Sequence, residues 1–167
     1  MQIQWYPGHM AKGKKLLLEQ LKLVDIVIEV LDARIPISSA NPDVHKLIGN
    51  KPRVVILNKE DLADPGCTKE WISWFKNRGI IAQGFDSTAH KGAVNLVKTV
   101  VNVSKSKMTR KKFLLPRATR AIVVGIPNVG KSTLINTLVR KKTAKTGNKP
   151  GVTKGKQWVR ILSDLEL

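Results

Sequence analysis

Cysteine is nearly missing from this chain of 167 residues: Cys67 stands alone. One thiol closes no internal disulfide and builds no cysteine-based zinc site, and it fits a reducing compartment. Long apolar runs are missing as well, since none approaches the ~18 residues that a membrane span needs. The opening stretch, Met1 to His9, has neither the apolar core of a signal peptide nor the Arg/Ser-rich character of a transit peptide. A cytoplasmic setting is expected. Acidic groups are scarce, twelve Asp and Glu against thirty Lys and Arg. What the chain does have is 42% hydrophobic and 25% charged residues, which excludes a disordered tail or a collagen-like repeat. A domain of this length buries about 70% of its unfolded surface, so one self-sufficient core is expected.

The formal charge is +18, and it is uneven. Residues 1–60 carry nine basic and six acidic groups, residues 61–100 five and four, and residues 101–167 sixteen and two. Solubility alone rarely needs a net charge beyond ~8 on a small domain. A basic half of this kind points to a polyanion, and RNA or DNA phosphate is the usual one.

Hydrophobic patterning gives the organisation. Lys12 to Val24 has helical spacing, with Leu16, Leu17, Leu21 and Val24 on one side. Ile26–Leu31 and Val54–Leu57 read as buried strands, Ile80–Ala82 begins a third, and Ala121–Val124 is a fourth. Between them fall a short helix near Val44–Ile48, an amphipathic helix over Lys69–Arg78 ended by Gly79, and a helix from Gly92 to about Val103. Trp71 and Trp74, at helical spacing with Ile72 and Phe75, read as core; Trp5 and Trp158 stay open to base stacking. Residues 104–112 read as a basic linker, Ser132–Val139 as a helix, and Ser163-Asp164 as a hairpin turn. Alternating strands and helices predict an α/β domain, three layers around a mostly parallel sheet.

The strongest chemical signal is Gly125-Ile126-Pro127-Asn128-Val129-Gly130-Lys131-Ser132, which matches G-x-x-x-x-G-K-[ST] between a strand and a helix. Glycines let backbone N–H groups converge on phosphate oxygens, and the helix N-terminus adds its positive end. Lys131 places a point charge on the outer phosphates, and Ser132 offers a hydroxyl to Mg²⁺. The second signal, Asn58-Lys59-Glu60-Asp61, follows a strand and reads as N-K-x-D, the guanine-reading motif. An ionised carboxylate accepts two hydrogen bonds side by side, and guanine presents two adjacent donors, its ring N–H and its exocyclic amine. Adenine would leave Asp61 facing a lone pair, a mismatch that can discriminate by ~10⁴. The Lys59 stem can lie across the base. Asp86-Ser87-Thr88 is a softer match to the S-A-x loop behind the base, because Thr88 stands where Ala is usual; a plain turn with a helix cap explains it as well. The base readers precede the phosphate loop, the reverse of the usual order, which is what a circular permutation would produce.

With Trp5-Tyr6-Pro7-Gly8-His9-Met10, Leu31-Asp32-Ala33-Arg34, Asn58–Asp61, Gly125–Thr133, Pro150-Gly151-Val152-Thr153 and Gln157-Trp158 assembled, the chain resembles the circularly permuted GTPases of ribosome assembly. The resemblance covers nearly the whole chain. It implies one permuted P-loop GTPase domain over 1–167, with the Asp-x-x-Gly switch and the helical RNA-binding domain of the family expected past Leu167. It implies GTP or GDP as ligand, held by Asn58, Lys59, Asp61, Asp86, Ser87, Thr88 and the loop residues Pro127, Asn128, Val129, Gly130, Lys131, Ser132 and Thr133. Mg²⁺ would be held by Ser132 and Thr153, and Asn128 matches an asparagine associated with K⁺. Implied partners are the large ribosomal subunit precursor and its RNA, for a monomer working away from membranes. His9 is the candidate for orienting the attacking water, since its ordinary pKa near ~6.5 suits proton handling and Gly8 would let its loop swing; the other reading has it tying the N-terminal arm to the sheet. His45 and His90 read as surface residues, and Arg34 as a salt bridge with Asp32 or a neighbour in preference to a phosphate or RNA contact. A nucleotide-binding RNA module without useful hydrolysis is the alternative, and a phosphate-loop ATPase or nucleotide kinase is disfavoured by Asn58–Asp61.

Overall fold

A computed structural model describes residues 7–89, 92–107, 118–143, 160–162 and 165–167. Side chains are described from residue 14 onward, apart from Lys107, residues 140–143 and residues 160–162. The expectations for Trp5, His90, the hairpin turn at 163–164, Thr153 and Trp158 lie outside the described residues.

Four parallel strands form the centre: β1 (Ile26–Asp32), β2 (Arg53–Asn58), β3 (Ile81–Phe85) and β4 (Thr119–Val124). Two short strands follow, β5 (Arg160–Leu162) and β6 (Leu165–Glu166), antiparallel to each other, with β6 parallel to β4. The order across the sheet is β3-β2-β1-β4-β6-β5. All seven residues of β1 are buried, as a central parallel strand covered on both faces requires.

The two faces separate by residue parity. Ile26, Ile28 and Val30 of β1, with Val54 and Ile56 of β2, pack against α4 (Ala93–Lys107) and α5 (Lys131–Thr143) through Leu96, Val97, Val100, Leu134 and Leu138. Val27 meets α1 (Pro7–Leu21) and α2 (Pro42–Ile48) through Leu21, Val44 and Ile48. Leu31, Val55 and Leu57 meet Phe75 of α3 (Pro65–Lys76), with Trp71 and Trp74 packed partly buried against them. The three-layer α/β expectation is what the chain adopts.

Element ends differ from the sequence reading for local reasons. The α3 helix begins at Pro65 and not at Lys69, because the Asp64 carboxylate accepts the Cys67 N–H at 2.8 Å and proline suits the first helical position. The helix α4 runs on to Lys107, so Ser104–Lys107 are helical where a linker was expected. Ala93, Leu96, Val97, Val100, Val101 and Ser104 form one buried stripe that carries the helix through. The first helix begins at Pro7, so Gly8 and His9 stand in its first turn and not in a swinging loop. His45 is exposed, as a surface residue should be, and it also has partners: its Nε2 lies 3.2 Å from Glu29 Oε1, and its Nδ1 lies 2.8 Å from Arg53 Nη1.

Glu29, on β1, is 1% exposed and also accepts from Arg53 Nη1 at 3.0 Å. Breaking a buried pair leaves the other charge uncompensated. Glu29→Ala is therefore expected to lower the unfolding free energy by about 3 kcal/mol in urea titration; a loss under about 1 kcal/mol would mean that Arg53 escapes to water at little cost.

Candidate functional site

The site lies where the strands of the parallel sheet end, at the point beside β1 where the chain's connections part to either side. Four loops leave from that edge: 33–40 after β1, 59–62 after β2, 86–89 after β3 and 125–130 after β4. The loop after β4 lies across the end of β1. Gly125 has φ +156°, and a Cβ there would stand 2.5 Å from the Val30 carbonyl oxygen. Only glycine lets this strand exit pass so close to its neighbour.

The same loop then reaches β2. Asn58 Nδ2 donates to the Val129 carbonyl at 2.8 Å, and Asn58 Oδ1 accepts from Ser87 Oγ at 2.6 Å. The Ser87 carbonyl in turn accepts from Thr137 Oγ1 of α5 at 2.7 Å. Asn58, Ser87, Val129 and Thr137 are all at most 3% exposed, so this chain of bonds is dry and fully paired. It joins the end of β2, the loop after β3, the loop after β4 and the helix α5 into one unit. Gly130, with φ +95°, has a second reason to be glycine: a Cβ there would fall 2.2 Å from Asn58 Nδ2. Asn128 also has a left-handed backbone, at φ 66°.

Around that unit the remaining candidate residues take their places. Lys131 opens α5, is half-buried, and donates from Nζ to the Ile126 carbonyl at 2.7 Å; burial lowers its pKa. Ser132 and Thr133 are exposed in the first turn of α5, and Pro127 and Asn128 are exposed in the loop. Asp61 is exposed in a short 3-10 turn, Glu60–Leu62. Asp86 Oδ1 accepts from Thr88 N at 2.7 Å and Thr88 Oγ1 at 2.6 Å, so Thr88 shapes a turn, without capping a helix, since α4 starts at Ala93; Ser87 faces Asn58.

Lys59, with φ 63°, sends its Nζ to Asp32 Oδ2 at 2.9 Å, and Arg34 Nη2 meets the same oxygen at 2.7 Å. The Arg34–Asp32 salt bridge is thus the one expected. Arg34 is the main cause that holds the Asp32 carboxyl well below the usual carboxylate range; burial works against it, and Lys59 adds to it. The stability this pairing contributes is fully present above the ordinary Asp value and is lost only as pH falls through the lowered one.

Among the described residues no three His, Cys, Asp or Glu side chains form a metal-holding group. The exposed Ser132 hydroxyl at a helix N-terminus fits Mg²⁺ that arrives with phosphate oxygens and its own waters, because Mg²⁺ takes few protein ligands in such sites.

Comparisons with known proteins bear on the fold that carries these loops. A family profile described as "50S ribosome-binding GTPase" matches residues 120–167. The chain is 52% identical, over its whole length, to Ribosome biogenesis GTPase A of Priestia megaterium, and 49% identical to the protein of the same name from Bacillus cereus. It spans 59% and 57% of the length of those two relatives. The crystal structure of GNP-bound YlqF from T. maritima superposes with a TM-score of 0.66 at 30% identity, covering 93% of this chain and 55% of that one. The fold is that of the P-loop GTPases, and among the described residues the base-reader and phosphate-loop motifs follow in permuted order.

Asn58→Ala and Gly130→Ala both break the Asn58–Val129 bond. Each is expected to lower the unfolding free energy by about 2 kcal/mol, from an orphaned buried carbonyl in one and a strained backbone in the other. The double variant is expected to lose clearly less than the sum. Strict additivity in denaturant titration would show that the two residues do not share the bond.

Proposed function

Because the chain is related, along its whole length, to the circularly permuted ribosome biogenesis GTPases, we propose that it binds GTP and hydrolyses it as a factor in late assembly of the large ribosomal subunit. The observation that carries the reading is the buried Asn58 amide, which bonds at one end to the phosphate-type loop and at the other to the loop after β3. Asp61, exposed and three residues after Asn58 in the sequence, supports the reading as a carboxylate close in the chain to that junction.

In this reading the Asp61 carboxylate accepts from the guanine ring N–H and amine. Lys59 lays its stem on the base, and Asp86, Ser87 and Thr88 back it. Asn128, Val129, Gly130, Lys131, Ser132 and Thr133 hold the phosphates through backbone N–H groups, the ammonium and the helix end, and Pro127, which has no N–H to give, stiffens the loop beside them. Ser132, with Thr153, would hold Mg²⁺, which would supply positive charge against the phosphates. Asn128, exposed on a left-handed backbone, offers its side-chain oxygen to K⁺. His9, in the first turn of α1, orients the attacking water.

The partner of the basic residues is ribosomal RNA of the subunit precursor, contacted mainly through phosphates, with the GTP state setting affinity. The protein acts as a cytoplasmic monomer. None of its described helices is long and apolar enough to cross a membrane.

Competition between GTP and ATP for the chain tests the base reading. GTP is expected to win by at least about 10³, and Asp61→Asn to cost it at least about 100-fold; equal competition by ATP would reject it. Turnover is measured on a chain extended past Leu167. His9→Ala is expected to slow it at least about 100-fold with GDP affinity unchanged, and K⁺ to give faster turnover than Na⁺. Unchanged turnover in the variant rejects the His9 role, and equal rates in the two salts reject the K⁺ site.

A further inference from the structure

The end of β1 holds a charged cluster, Asp32, Arg34 and Lys59, of which the proposed chemistry uses only the lysine stem. Asp32 is 4% exposed and accepts four hydrogen bonds. Three come from Arg34, through its backbone N–H at 3.0 Å, Nε at 2.9 Å and Nη2 at 2.7 Å; the fourth comes from Lys59 Nζ at 2.9 Å. Asp32 and Asn58 are register partners on β1 and β2, so Lys59 is the residue that follows the Asp32 partner. The left-handed backbone of Lys59 lets its side chain return to the end of β1. The Lys59 side chain is only 27% exposed, against 48% for Arg34. The lysine is therefore the more enclosed of the two cations, and its stem is held at both ends.

An unanchored lysine is among the side chains with the most rotamer freedom to lose when something is laid on it. A stem already fixed loses little, and pre-organisation of this kind appears as affinity. We propose that Asp32 is a positioning residue for the purine base: by anchoring the Lys59 ammonium, it fixes the lysine stem as one wall of the base pocket before the nucleotide arrives. This rests on the guanine-nucleotide reading above. Arg34 serves as the counter-charge that keeps the carboxylate ionised and the cluster net positive. It also follows that the Lys59 ammonium is committed to Asp32 and stays away from the phosphates, which fall to Lys131 and the loop backbone. A purely structural salt bridge would act on nucleotide binding without going through Lys59, and that difference can be measured.

The test is a double-mutant cycle read as the Kd of a fluorescent GDP. Asp32→Asn is expected to weaken GDP binding about tenfold in the native sequence and less than about twofold in a Lys59→Met background, where the stem remains but nothing is left to anchor. Arg34→Gln, which leaves Asp32 paired with Lys59, is expected to stay within about twofold of the native Kd. Equal losses from Asp32→Asn in both backgrounds would overturn the proposal, as would an Arg34→Gln loss matching that of Asp32→Asn. If Asp32→Asn does not fold, Asp32→Glu, which keeps the charge but shifts it by one methylene, is put through the same cycle with the same criteria. A native chain that prefers GDP over ADP with a silent Asp32→Asn overturns only the positioning role. A native chain with no such preference overturns the guanine reading and this inference with it.

Discussion

The site depends on one buried side chain. Asn58 stands at the last position of β2, and its amide is spent at both ends, on the Val129 carbonyl and the Ser87 hydroxyl. A buried amide left half-paired is costly, so the loops that satisfy it are held where they can do so. The two glycines of the phosphate-type loop answer to two separate close approaches. Gly125 lets the loop pass over the Val30 carbonyl, and Gly130 leaves room for the asparagine amide. The loop thus takes its shape from the protein's own contacts, before any phosphate is considered.

Around that bond the sheet works as a level platform. The buried strands β1 and β2 alternate their side chains between the α4–α5 layer and the α1–α2–α3 layer, and their register brings Asp32 opposite Asn58 where the two strands end. Four loops then emerge at one edge, and charge is distributed over them by role. Asp32, ionised and deep, gathers Arg34 and Lys59. Lys131, whose pKa burial lowers, stands at the head of α5 with Ser132 and Thr133 exposed beside it. One carboxylate is spent inside the protein, and another, Asp61, is left exposed at the surface of the site.

Much of this was legible in the residues. The β-branched runs Ile26–Leu31, Val54–Leu57 and Ala121–Val124 announced buried parallel strands, and the G-x-x-x-x-G-K-S and N-K-x-D patterns announced the loops, because each needs fixed residue types at fixed spacing. The Asp32–Arg34 bridge was legible for the same reason, two opposite charges two residues apart. Thr137 was not: a threonine inside a helix carries no local sign that its hydroxyl will cross to the Ser87 carbonyl fifty residues away. Nor was the hold of Asp32 on Lys59, which exists only because β1 and β2 lie side by side. Helix ends were misjudged where a cap or a buried stripe decided them, as at Asp64 for α3 and Ser104 for α4.

The central claim is that loops distant in sequence close around a single guanine nucleotide. It is tested most directly by a GDP titration followed in the amide NMR spectrum. The account predicts that the Asn58 side-chain amide and the backbone amides of Asp61, Ser87, Gly130 and Lys131 all shift along one saturation curve with a common Kd. Shifts confined to 125–133, with Asn58, Asp61 and Ser87 unmoved at saturation, would contradict it.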